Sequence, residues 1–164
     1  MNEIEHRIVL LRRALGGDPW HGPSLEGALL GVDAAGAAAH SISSAHSIWE
    51  IVLHVTGWTR EVAKRLRGGD PTPPAGGDWP SPDDLTEQAW SRARGELGAV
   101  HEELLSALAA FPRERLHEKV GAERSAPLGT GVTYLEMVDG VLQHAAYHAG
   151  QISLLEKAVR PSTG

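Results

Sequence analysis

Apolar residues recur along most of this chain at helical rather than strand spacing. Ile4, Ile8, Leu11 and Leu15 follow at intervals of four, three and four, so they share one face of a helix over residues 2–15 that Gly16 and Gly17 end. Residues 17–45 are irregular, with turn material at Asp18-Pro19 and Gly22-Pro23 and short helical turns expected near 24–30 and 33–39. A second helix is predicted from 46 to 67, with a core stripe of Ile48, Ile51, Val52, Val55, Val62 and Leu66, stopped by Gly68-Gly69. Ser81 as N-cap and Pro82 in the first turn predict the start of a third helix. Its stripe is Leu85, Ala89, Ala93, Leu97, Val100, Leu104 and Leu108, and it ends before Pro112. The last helix is expected over 132–159, with Pro161 as its stop.

Between these segments lie polar connections. Residues 70–82 hold five prolines and two glycines and read as an exposed loop, and residues 117–131 form a second. No strand-like alternation of useful length and no internal repeat is present. The expected fold class is all-α: a four-helix bundle with a long connection between the first and second helices, formed as one domain over residues 1–164. That connection is long enough to cross the bundle, so a simple up-down order does not follow.

Composition narrows the function classes. Twenty-one acidic against 15 basic residues give a net charge of −6, with no basic run of the kind that neutralises phosphates. Neither nucleic acid nor an anionic membrane is therefore expected as a partner. No window approaches the roughly 20 apolar residues of a membrane span. The opening MNEIEHRIVLLRRALGG carries charges where a signal peptide has an apolar core, so a cytoplasmic location is expected. There are no cysteines, which excludes disulfides, thiolate ligands and a cysteine nucleophile.

Nine histidines are many for 164 residues, and their placement carries the candidate chemistry. His144 and His148 stand one helical turn apart, about 40° around the axis and about 6 Å along it, so their rings can converge on one ion. His148 projects within the apolar stripe of the last helix (Val138, Val141, Ala145, Ala149, Ile152) and His144 lies on its flank. A ring aimed at a core needs a polar partner, and a metal would satisfy both. His54, in register with Trp58 beside the stripe of the second helix, is the candidate third ligand from a facing helix. Three imidazoles would leave a coordination position open, as in catalytic sites. Spacing alone does not separate this reading from a chance pair of surface histidines. His6, His101 and His117 read as solvent-facing, and His40 and His46 as capping or exposed residues near helix ends.

Three stretches together resemble the DinB-like family of bacterial metal-binding four-helix bundles. Ala45-His46-Ser47-Ile48-Trp49-Glu50-Ile51-Val52-Leu53-His54-Val55 is similar to that family's second helix. His144-Ala145-Ala146-Tyr147-His148-Ala149-Gly150-Gln151-Ile152 is similar to its last. Trp20-His21-Gly22-Pro23-Ser24-Leu25 looks like a loop of many members. The resemblance implies ligand roles for His54, His144 and His148. It also implies a superfamily that includes enzymes using a low-molecular-weight thiol, such as bacillithiol or mycothiol, to conjugate or isomerise small electrophiles, and whose members are often homodimers.

The expected function is accordingly a metal-dependent enzyme, a thiol-dependent S-transferase acting on a small-molecule substrate. The expected cofactor is one divalent ion, zinc first and nickel second. Two alternatives stand beside it: a metal-dependent hydrolase with Glu50 as candidate general base, and a non-catalytic metal-binding or dimerising module. Gln151 shares the side of the helix that carries His148 and is a candidate to orient it. Trp20, His21, Trp58 and Tyr147 are candidates to line the site, with packing as the ordinary role of the aromatics.

Overall fold

A computed structural model describes residues 1–159. Its helices are α1 (Glu3–Gly16), α2 (Ala34–Ala38), α3 (Ile48–Leu66), α4 (Glu87–Ala109) and α5 (Tyr134–Val159), with single 3-10 turns at Gly27–Leu29, Arg113–Arg115 and Ala126–Leu128. No strand is present among the described residues; one isolated bridge pairs Lys119 with Thr133. The expected all-α class is observed, and the two short turns of the first connection fall at Gly27–Leu29 and at α2. Pro161, expected as the stop of the last helix, lies outside the described residues.

Caps set the helix starts. Asn2 and Ser47 each accept a hydrogen bond from the backbone N–H three residues on, and Glu5 and Glu50 return the bond to the cap's own N–H. Thr133 and Glu136 repeat the exchange at the start of α5. The expectation of a third helix opening at Ser81 is corrected: α4 starts at Glu87, capped by Thr86. The Thr86 hydroxyl accepts from Ala89 N–H and the Asp84 carboxylate accepts from Thr86 N–H. Leu85, placed on the stripe from sequence, is consequently exposed.

Ion pairs give the helix directions. Arg60 to Glu96 (2.6 Å) and Arg67 to Glu103 (3.4 Å) each join residues 36 apart, so α3 and α4 run parallel. The first half of α3 meets His144 and His148, whereas Arg65 near its end shares a cleft with Glu136 and Met137, so α3 and α5 are antiparallel. Among the long helices the extensive contacts are α3 with α4, α3 with α5, α1 with α4 and α1 with α5. Helices α1 and α3 therefore face across one diagonal and α4 and α5 across the other. Both the 17–47 and the 110–133 connections cross the bundle.

Burial is organised in two apolar clusters. One gathers Leu11, Leu66, Leu104, Val138 and Val141, and the other Trp49, Val52, Trp90, Leu97 and Ile152. Trp90, wholly buried, donates its indole N–H to Val32 O at 2.8 Å and so ties the crossing connection to α4. On α3 the clusters meet between Val55 and Val62, and on α5 between Ala145 and Ala149. The candidate ligands lie at that seam.

Candidate metal centre

His54 is delivered by α3, and His144 and His148 by successive turns of α5. The Nε2 of His144 lies 2.9 Å from Nε2 of His54 and 2.9 Å from Nε2 of His148. Three ligand atoms within 4.8 Å of one another could hold one metal ion. His54 is 7% exposed and His148 2%, while His144 is half-buried.

The other ring nitrogens fix the tautomers. His54 Nδ1 stands 2.6 Å from the backbone carbonyl of Asp78, and His148 Nδ1 stands 2.7 Å from Oε1 of Gln151. Both oxygens can only accept, so each Nδ1 carries the proton and each Nε2 presents its lone pair. The Gln151 amide is itself oriented, donating its Nε2–H to the Tyr147 hydroxyl at 3.0 Å. Burial, with the neighbouring His148 and His54 rings, pushes the pKa of His144 down to about 3. Burial also pushes His148 down to about 4, with the Gln151 hydrogen bond opposing and the His54 and His46 rings adding to the drop. Both rings are neutral near pH 7, as ligation requires. Convergent neutral donors whose far nitrogens are anchored fit a divalent cation by the chemistry of the donor set.

The proline-rich loop does more than connect. Glu61, buried on α3, accepts from Thr72 N–H at 2.8 Å and from Arg65 and Lys64, which tethers the loop's start. Pro74 packs over Gly57, where a Cβ would stand only 3.1 Å from the proline ring. The chain then passes over His54. Trp79 stacks on its ring at 3.8 Å and 4°, and stacks on His46 through its other face at 3.7 Å and 3°. The indole N–H of Trp58 holds the Asp78 carboxylate at 2.7 Å, and that carboxylate lies 3.3 Å from His54 Nδ1. Sequence reasoning missed Asp78 and Trp79. The available signal was a lone tryptophan in an otherwise polar loop.

Clefts adjoin the cluster on two sides. One of about 440 Å³ is lined by His148, Gln151, Trp79 and Tyr147. Another of about 340 Å³ is lined by His144, Trp58, Thr59 and Val62. Gln151, Trp58 and Tyr147 are thus beside the cluster. Trp20 is fully exposed and His21 exposed, and neither lines either cleft.

Glu50 stands apart from the three imidazoles. Its Oε2 accepts from Ser47 N–H at 2.9 Å in the cap of α3, and its Oε1 accepts from the Ser81 hydroxyl at 3.0 Å. Burial would raise its pKa, but those two bonds and the nearby His40 and His46 hold it below the usual carboxylate value. The exposure expected for His101 is corrected: it is 3% exposed, paired through Nδ1 to Glu26 at 3.2 Å. The crossing connection lays Glu26 over it, a burial that α4 alone does not encode. His6 and His117 are exposed, as expected.

The fold and the site together define a class, a helical bundle in which histidines of two antiparallel helices converge in a site that could hold a metal. Within that class, the model of the DinB superfamily matches residues 21–152, and the chain belongs to that superfamily. The matched segment contains all three histidines. No match is found among curated proteins or among solved structures. No helix of the described residues is long and apolar enough to cross a membrane.

Proposed function

We propose that His54, His144 and His148 hold one divalent metal ion and that the protein is a transferase passing a low-molecular-weight thiol to a small electrophile. The observation that carries this reading is the convergence of the three Nε2 atoms while the Nδ1–H groups of His54 and His148 are anchored on oxygen. When bound, an ion held by neutral ligands keeps its full charge and lowers the pKa of a coordinated thiol or water. The side chains supply the rest. Asp78 and Gln151 fix the two rings, Trp79 covers the face of His54, and Tyr147 holds the Gln151 amide in register.

The thiol must come from a cosubstrate, because the chain has no cysteine. In the transfer the thiol gives its proton to solvent, sulfur forms a bond to carbon, and the displaced group leaves with the bonding pair. A cleft on each side of the cluster supports a reaction of two substrates over hydrolysis. Glu50, the general base of the hydrolase alternative, is committed to capping α3. Imidazole donors suit zinc, nickel, copper and iron, with zinc the first candidate and nickel the second.

The test is thiol consumption with a model electrophile, comparing metal-loaded with metal-free protein across several thiols. Metal-dependent consumption is expected. Equal rates with and without metal for every thiol would overturn the transferase reading and leave a non-catalytic metal-binding module. Turnover of the electrophile with thiol omitted would point to hydrolysis instead.

A further inference from the structure

We propose that the cleft beside His148 binds a small, uncharged, apolar molecule, and that this is the class of electrophile the centre acts on. The second clause rests on the transferase reading, whereas the binding itself does not. The cleft, about 440 Å³, lies between the 42–46 segment, Trp79 and the outer face of α5. Three of the large apolar side chains that are exposed on this molecule gather around it: Ile42 (45%), Tyr147 (63%) and Leu154 (66%). Scattered apolar residues on a surface carry no message, but a concave group of them beside convergent polar atoms is the usual form of a ligand site.

Charge narrows the ligand further. Among the described residues, no lysine, arginine, aspartate or glutamate lines this cleft. The cleft between α3 and α4 is lined by Arg60, Arg92 and Glu96, and the one beside His144 by Arg65 and Glu136. In the metal-free chain an ion entering the His148 cleft would lose hydration with no side-chain countercharge to replace it, so the walls themselves favour a neutral ligand. Ser44, His46 and Gln151 bring polar groups to the walls, enough to orient a single carbonyl or hydroxyl group.

Two fluorescent probes of one skeleton separate charge from shape: neutral N-phenyl-1-naphthylamine and its anionic sulfonate, 8-anilino-1-naphthalenesulfonate. The full chain is titrated as purified and after chelation, with metal content measured on the same samples. The neutral probe is expected to saturate at about one equivalent in the chelated chain, with the sulfonate about tenfold weaker. Leu154→Arg and Ile42→Arg are each expected to weaken the neutral probe about tenfold by placing a cation in an apolar wall. Leu85→Arg changes an exposed leucine elsewhere and is expected to leave binding unchanged.

Absence of saturable binding, tighter binding of the sulfonate to the chelated chain, or equal effects of Leu154→Arg and Leu85→Arg would overturn the proposal. So would sedimentation showing a wild-type dimer that excludes the probe and that Leu154→Arg splits, since the face would then join two copies. Loss of the probe site with metal uptake intact rejects the cleft alone. Probe binding in a chain that takes up no metal upholds the cleft and rejects the metal reading.

Discussion

Removing the acceptor of Gln151 isolates the anchoring of one ligand from the ligand itself. His148 is 2% exposed and donates from Nδ1 to Gln151 Oε1 at 2.7 Å. Gln151→Ala leaves that N–H buried without a partner, a cost of about 1–3 kcal/mol. The ring then turns freely or adopts the other tautomer, which takes the Nε2 lone pair away from the ion. Loss of a partner that orients a ligand lowers metal affinity about 10–100-fold, or about 1.4–2.7 kcal/mol, which agrees with the first figure. Gln151→Glu keeps an acceptor and adds negative charge that strengthens the imidazole as a donor, so it should bind metal at least as tightly as the wild type. Competition for zinc against a chromophoric chelator reads both variants, with thermal melts of the metal-free proteins as the control for folding. A Gln151→Ala affinity within about twofold of wild type would refute the anchoring role. A Gln151→Glu variant as weak as Gln151→Ala would refute it equally.

Trp79→Ala removes the ring stacked on His54 and should weaken zinc about tenfold in the same competition assay; unchanged affinity would show the stack to be incidental. Glu61→Ala leaves Arg65, 2% exposed, without its carboxylate and unties Thr72. Urea unfolding should then report a loss of about 3 kcal/mol, accompanied by weaker metal binding as the loop loosens, and a loss confined to stability would contradict the tether. Acid should destabilise the metal-free protein in two stages. Because the folded pKa values of His144 (about 3) and His148 (about 4) lie below the unfolded value of 6.5, only the unfolded chain takes those protons as pH falls below 6.5. Stability therefore drops from pH 6.5 toward pH 4 by about 1.4 kcal/mol per ring per pH unit. The depressed pKa of Glu61 adds a further loss as pH falls through its unfolded value of 4.5. Urea midpoints that stay flat between pH 7.5 and 5.5, or a slope unaltered in a His144→Asn, His148→Asn variant, would refute the burial of neutral rings.

The helices were legible because each carries a long 3.6-residue stripe, and the His144–His148 pair because one helix contains both. His54 became legible as a partner only through its wheel position and the family resemblance. What sequence could not supply depends on contacts between distant segments. The loop that brings Asp78 and Trp79 to His54 is positioned by Thr72 on Glu61 and by Pro74 over Gly57, none of which leaves a periodic trace. Ser81 and Pro82 form a plausible helix start, yet the Ser81 hydroxyl binds Glu50 across the fold while Asp84 supports Thr86 as the cap. His101 looked like a surface residue of α4, and Glu26, 75 residues away in the crossing connection, is what pairs with it. Trp20 belongs to a stretch that resembles the family, and its full exposure leaves it outside both clefts.

The most direct test of the account is the metal content of purified, untagged protein beside His54→Ala and His148→Ala variants. About one equivalent of divalent metal is expected in the wild type, with its loss in both variants, since the ion needs donors from both helices. Wild-type protein that purifies without metal and takes up neither added zinc nor added nickel would contradict it.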